Sequence, residues 1–163
     1  MQIAVIGGEC ASGGSAQRLA AGVGAELARR GVTVVCGGGL GVMEAACHGA
    51  RENGGHTIGI LPGNAAESPP NACIEFPVYT GLGAARNLVV VLSGEAVIAI
   101  DGSYGTLSEI AFALIYDKPL VGPDTWDFAY HGHDADRLVR ATDPVDAVEK
   151  AIALVESRAT NTK

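Results

Sequence analysis

The sequence predicts an α/β fold: a doubly wound, mostly parallel sheet of about six to seven strands flanked by helices. Three observations carry that expectation. Short, nearly continuous apolar runs such as Ala96–Ile100 read as strands buried on both faces. Each long run leads into a glycine-bearing turn and then a stretch with helical apolar spacing. Strand and helix patterns alternate along the chain, with no internal repeat and no linker. Its 163 residues suit one domain, placed here over residues 1–158, with 159–163 expected to fray as a tail.

The elements follow in order. Ile3–Ile6 is the first strand, Gly7–Gly14 a glycine-rich loop, and Ser15–Arg30 an alanine-rich helix stopped by Gly31. Val32–Cys36 is the second strand, Gly37–Gly41 a second glycine loop, and Val42–Asn53 a helix ended by Gly54-Gly55. Thr57–Leu61 is the third strand. Pro62–Ala72 is an irregular loop, Ile74–Val78 a short strand, and Leu82–Ser93 a helix. Ala96–Ile100 is a buried strand and Leu107–Tyr116 its following helix. Leu120-Val121 is a short strand, Thr125–Asp136 a loop, and Leu138–Ala141 an edge strand. Asp143 caps the last helix, with Pro144 at its first position, where a missing N–H costs nothing. Val145, Val148, Ile152 and Val155 form its apolar stripe.

Two helices depart from the usual amphipathic pattern. Leu88-Val-Val-Val-Leu92 and Ile110–Tyr116 are apolar nearly all round. Surface helices carry a polar face, so both are expected to be covered on more than one side. A homodimer or higher homo-oligomer built on them is the expected arrangement.

Composition narrows the partners. The net charge is −7, and no basic patch stands out, so binding of a nucleic acid polymer is not expected. Cys10, Cys36, Cys47 and Cys73 form no Cys-x-x-Cys pair and read as buried free thiols. Met-Gln-Ile-Ala-Val-Ile-Gly-Gly reads as a strand rather than a signal peptide. No apolar run reaches the ~18 residues of a membrane span. A soluble cytoplasmic protein with no membrane contact is the expectation.

Glycine is abundant, 23 of 163 residues against a typical ~7%, and it clusters after the apolar runs. The most informative stretch is Ile100-Asp-Gly-Ser-Tyr-Gly-Thr-Leu-Ser-Glu-Ile-Ala-Phe112. A turn at the carboxyl end of a parallel strand, feeding a helix start, is where open α/β sheets place ligands. Free N–H groups and the helix dipole there attract an anion, most simply a phosphate. Gly102, Ser103, Gly105 and Thr106 are therefore expected to hold phosphate. Glu109 lies one turn into the helix. Thr106-Leu-Ser-Glu109 is also a capping box, with Thr106 at the N-cap and Glu109 reaching back. Both roles remain open from spacing alone.

Gly8 in the first loop, and Gly38, Gly39 and Gly41 in the second, are further expected points of close ligand approach. The second loop lacks the last glycine of a dinucleotide-binding Gly-x-Gly-x-x-Gly, and it lacks the Lys-Ser/Thr of a Walker loop. Arg86 is a rare cation among apolar neighbours, suited to bidentate phosphate binding or to a structural ion pair. Asn87 beside it can offer an amide to a base, ribose or phosphate. His131-Gly-His133, with Asp127, Asp134 and Asp136, reads as a solvated loop, so no metal site is expected. His48 beside Cys47 reads as packing. No Gly-x-Ser-x-Gly elbow occurs.

Taken together, Gly105-Thr106 and Glu109, with Arg86 upstream, resemble the Pro-Gly-Gly-x-Gly-Thr-x-x-Glu signature and paired Arg-Lys of the Lonely-Guy (LOG) phosphoribohydrolases. Gly37–Gly39, Gly41 and Met43 resemble that family's Gly-Gly-Gly-x-x-Gly-x-Met loop. The resemblance runs from about Ile3 to Ile152. Two departures stand out: the Lys position is Asn87, and Ile100-Asp101-Gly102-Ser103 replaces the Pro-Gly-Gly turn. In these respects the chain looks closer to the sister group of molybdenum cofactor carrier proteins and LOG-like proteins within the SLOG superfamily. The resemblance implies a Rossmann-like sheet, a dimer and a phosphorylated small-molecule ligand at the Gly-Thr turn. It implies either a binding or carrier protein for a nucleotide-like or pterin ligand, with molybdenum cofactor as cargo, or a phosphoribohydrolase of nucleoside 5′-monophosphates. In the enzyme, Arg86 would hold and polarise substrate, and Glu109 would stabilise a ribosyl cation or activate water. Neither alternative implies a required cofactor.

Overall fold

The computed structural model describes residues 1–9, 14–127 and 137–161. Seven strands, β1 (Gln2–Gly7), β2 (Thr33–Cys36), β3 (Thr57–Leu61), β4 (Phe76–Tyr79), β5 (Ala96–Ile100), β6 (Leu120–Asp124) and β7 (Leu138–Arg140), form one sheet. Their order is β4-β3-β2-β1-β5-β6-β7, and every pair is parallel. The helices are α1 (Gly14–Arg29), α2 (Val42–Glu52), α3 (Arg86–Ser93), α4 (Tyr104–Ile115) and α5 (Pro144–Asn161). This is the Rossmann-like α/β architecture expected from the alternation of patterns.

The two faces of the sheet follow from the period-2 side-chain alternation of strands. Ile3 and Val5 of β1, with Ala96, Ile98 and Ile100 of β5, join the core formed with α1, α2 and α5. Ala4 and Ile6, with Val97 and Ala99, join the core under α3 and α4. The chain builds outward from β1 to β4, then β5 returns to the other side of β1. That reversal opens a crevice beyond the carboxyl ends of β1 and β5, where ligands of such sheets bind.

Several boundaries differ from expectation for physical reasons. The predicted helix Leu82–Ser93 divides into a 3₁₀ turn, Gly83–Ala85, and α3. Gly83 has φ of 54°, which a right-handed α-helix cannot contain, so the helix cannot reach back to Leu82, and the regular α-helix begins at Arg86. The short strand lies at Phe76–Tyr79 rather than Ile74–Val78, as the exposed edge of the sheet. β6 continues to Asp124, where the Asp101 N–H donates to the Asp124 carbonyl.

The last helix starts as expected. Asp143 Oδ1 accepts the N–H groups of Val145 and Asp146, at 2.9 and 3.0 Å. It runs through Asn161, past the Ala159 at which fraying is expected, and Thr160 Oγ1 donates back to the Glu156 carbonyl at 3.0 Å. The predicted loop Thr125–Asp136, from residue 128 onward, lies outside the described residues. So do the histidines of His131-Gly-His133, Asp134 and Asp136, and also Cys10 and Gly13 of the first loop. Among the described residues no helix is long and apolar enough to cross a membrane.

Candidate functional site

A cavity of about 490 Å³ opens at the carboxyl ends of β1 and β5, between the starts of α3 and α4. Of the residues proposed from sequence, Gly8, Arg86, Asn87, Gly102, Ser103, Gly105, Thr106 and Glu109 line it. Gly38, Gly39 and Gly41 are not among the lining residues. Asn71 ties their loop down from behind: its N–H donates to the Gly38 carbonyl at 2.9 Å and its Nδ2 to the Gly39 carbonyl at 2.7 Å. Asn71 is buried, and nothing in its local sequence context signals this role.

Four lining residues escaped the sequence proposals: Gly7, Glu9, Met43 and Asp101. Met43 and Asp101 were visible only as features of the family resemblance. Glu9 carries no local signal. Asp101 adopts φ of 53°, a left-handed conformation that aspartate tolerates better than most residues. It lets β5 turn sharply, with the Asp101 carbonyl accepting from Thr125 Oγ1 at 2.7 Å.

The capping box does not form. α4 starts at Tyr104, with Ser103 in the N-cap position, and no side chain caps it. Thr106 therefore sits inside the first turn, and Glu109 is too far along to reach back. The turn of Asp101, Gly102 and Ser103 brings the chain into the helix three residues early. The result is an uncapped helix start facing the cavity. Its first N–H groups have no intrahelical acceptor and carry the positive end of the helix dipole.

Freed from capping, Glu109 turns inward. Its Oε1 lies 3.7 Å from Arg86 Nη1, and the two side chains are only 7% and 13% exposed. Burial raises the Glu109 carboxyl to about 7, against the opposing pull of the Arg86 charge. Burial penalises the ionised form, and at 3.7 Å without a hydrogen bond Arg86 offsets only part of that penalty. Arg86 Nε is buried and has no hydrogen-bond partner. The guanidinium rests against the end of β2, where only glycine fits: a Cβ on Gly37 would stand 2.3 Å from Arg86 Nη1.

Asn87 bridges α3 and α4. Its Nδ2 lies 2.9 Å from Ser108 Oγ and 3.5 Å from the Gly105 carbonyl. Ser108 Oγ donates to that same carbonyl at 2.7 Å. Behind Gly37, the free thiols of Cys36 and Cys47 are buried with their sulfurs 3.5 Å apart. The contact with Cys36 and burial together push the Cys47 thiol well up. His48, expected to pack, is instead exposed on α2, 3.4 Å from Glu52.

Chemically, the cavity combines a largely buried guanidinium, an uncapped helix start and a carboxyl group that titrates near neutrality. The first two attract an oxyanion. The third can hold or release a proton at physiological pH.

Residues 1–151 match the family model described as the SLOG cluster4 family. An uncharacterized protein of Archaeoglobus fulgidus is 43% identical over 118 residues, 70% of this chain and 74% of that protein. The cytokinin riboside 5′-monophosphate phosphoribohydrolase of Mycobacterium tuberculosis is 34% identical over 117 residues, 66% of this chain and 62% of that enzyme. Among solved structures, the Moco carrier protein of Chlamydomonas reinhardtii superposes with a TM-score of 0.84. It is 32% identical, with 96% of this chain and 98% of that one covered.

Proposed function

The chain belongs to the SLOG cluster4 family, and from that premise we propose that it binds or carries a phosphorylated nucleotide-like or pterin ligand, with the phosphate at the Gly102–Thr106 turn. The observation that carries the reading is Arg86: a guanidinium whose side chain is only 13% exposed, on the wall of a cavity that an uncapped helix start also faces. A cation and free helix N–H groups on one cavity wall together favour an oxyanion ligand. The likeness to a Moco carrier protein over nearly the whole of both chains supports the carrier side, with molybdenum cofactor as cargo rather than resident cofactor. A net charge of −7 favours a small anion held by local donors over a nucleic acid polymer.

One observation favours a second reading, a phosphoribohydrolase of nucleoside 5′-monophosphates. Glu109 titrates near 7 on the cavity wall, where a general acid or base works best. In that reaction Arg86 would hold and polarise the nucleotide, and Glu109 would stabilise the ribosyl cation or activate water as the N-glycosidic bond breaks. Mass spectrometry of small molecules released from the native protein, with chromatography of AMP incubations, separates the two readings. The expected result is a bound phosphate ester and little or no free adenine. Robust adenine release, abolished in Glu109→Gln without loss of binding, would establish the hydrolase instead.

The same reading includes a homodimer on α3 and α4. Leu92 on α3 is 43% exposed, and Ile115 and Tyr116 at the end of α4 are 71% and 49% exposed. A stable interface buries on the order of 800 Å² per partner, and these helices offer apolar area for it. Light scattering at micromolar concentration is expected to give twice the 16.5 kDa chain mass; a clean monomer would refute the dimer. The free thiols of Cys36, Cys47 and Cys73 suit a reducing compartment, and this supports a cytoplasmic protein.

A further inference from the structure

We infer that Asn87 meets the ligand as an obligate hydrogen-bond acceptor, oriented by Ser108, and reads a hydroxyl on the alcohol part of a sugar phosphate rather than the phosphate itself. This deepens the phosphate-ester reading above, rests on it, and selects its nucleotide-like branch.

Counting hydrogens fixes the orientation of the amide. Ser108 Oγ stands 2.7 Å from the Gly105 carbonyl oxygen and 2.9 Å from the Asn87 amide. A hydroxyl has one hydrogen to give. The Gly105 carbonyl can only accept, so the hydrogen goes there. Ser108 must then accept from Asn87, and the amide must present Nδ2. Turning the amide over would leave one hydrogen to serve two acceptor oxygens at close range, and one of those contacts would become repulsive. The Gly105 carbonyl, 3.5 Å from Nδ2, holds the same orientation. Both ends of the donor group thus face α4. Oδ1 is the end left for the cavity that Asn87 lines.

An acceptor in that position repels phosphate oxygens and favours a donor. Asn87 is joined through Ser108 to Gly105, which belongs to the turn that would seat the phosphate. Asn87 and that turn line the same cavity, so its acceptor faces the ligand beside the phosphate seat. In a phosphate ester the donors beside the phosphate are hydroxyls of the esterified alcohol. A lysine at this position would supply three donors and no acceptor, inverting the selectivity toward phosphate.

The test compares ribose 5-phosphate with methyl phosphate by calorimetry at pH 8. Methyl phosphate is then largely a dianion with no hydroxyl to donate. Wild-type protein is expected to bind ribose 5-phosphate more tightly. Asn87→Ala is expected to weaken ribose 5-phosphate roughly 3- to 10-fold, the worth of about one neutral hydrogen bond, and to leave methyl phosphate unchanged. Ser108→Ala removes no ligand contact but releases the amide, and the same selective loss is expected, which a merely structural defect would not produce. Equal weakening of both probes by Asn87→Ala would mean that the amide donates to phosphate and would overturn the inference. So would an unchanged ratio of the two affinities in both variants. If Arg86→Ala weakens both probes while Asn87→Ala moves neither, the Asn87 role alone falls. If wild-type protein binds neither probe, the phosphate-site reading falls and takes this inference with it.

Discussion

Glu109→Gln is expected to stabilise the protein by about 3 kcal/mol above pH 7 and to leave it unchanged below pH 4. The carboxyl is raised from 4.5 to about 7 by burial, a shift that at ~1.4 kcal/mol per unit sets this order of magnitude. Below 4.5 the group is protonated whether the chain is folded or not, and it contributes no pH dependence. Between 4.5 and 7 the unfolded chain releases the proton while the folded chain keeps it. Stability therefore falls as pH rises through this window. Above 7 the folded protein carries the full penalty of a buried carboxylate that Arg86, at 3.7 Å, only partly offsets. Glutamine has no such proton to lose. Thermal melts from pH 4 to 8 should diverge steadily, with the variant ahead by roughly 6–12 °C at the alkaline end. Parallel curves for the two proteins would show that Glu109 ionises normally, and the buried pair would lose its meaning as a strained functional site.

Arg86→Ala is expected to weaken binding of ribose 5-phosphate and methyl phosphate alike by about 10- to 100-fold, the range for losing charge-assisted hydrogen bonds. The loss should be uniform, because the guanidinium addresses the oxyanion and not the rest of the ligand. Gly37→Ala offers a second route to the same defect. Its Cβ would stand 2.3 Å from Arg86 Nη1 and 2.7 Å from Cζ, so the flexible side chain must leave its seat while the backbone stays in place. Gly37→Ala should therefore melt close to wild type yet lose part of the affinity. Wild-type affinity in Arg86→Ala, read by calorimetry, would remove the basis for an anion site in this cavity.

Local signals in the sequence go far for this protein. β5 is legible because five consecutive apolar residues at Ala96–Ile100 have no polar face to show, and the sheet buries all of them. The start of α5 is legible because Asp143 and Pro144 each act within a few residues, through one side-chain oxygen and one fixed φ. Most of the cavity wall is legible too, since a strand end, a glycine turn and a helix start are adjacent in the chain. What the tertiary structure decided depends on residues far apart. The sheet order, with β5 returning beside β1, follows from burying both faces at once, and no short window encodes it. The start of α4 looks like a Thr106 capping box in isolation, but the left-handed Asp101 brings the helix in early and leaves Glu109 free. Burial of Glu109, which outweighs the pull of Arg86 3.7 Å away across two helices, sets the charge state of the site. The Gly37–Gly41 loop shows the same limit. Its glycines read as ligand contacts, yet Asn71 holds Gly38 and Gly39 from behind and Gly37 supports Arg86. Propensity, capping and strand burial are written within a few residues. Desolvation and distance between remote charges exist only once the chain is folded.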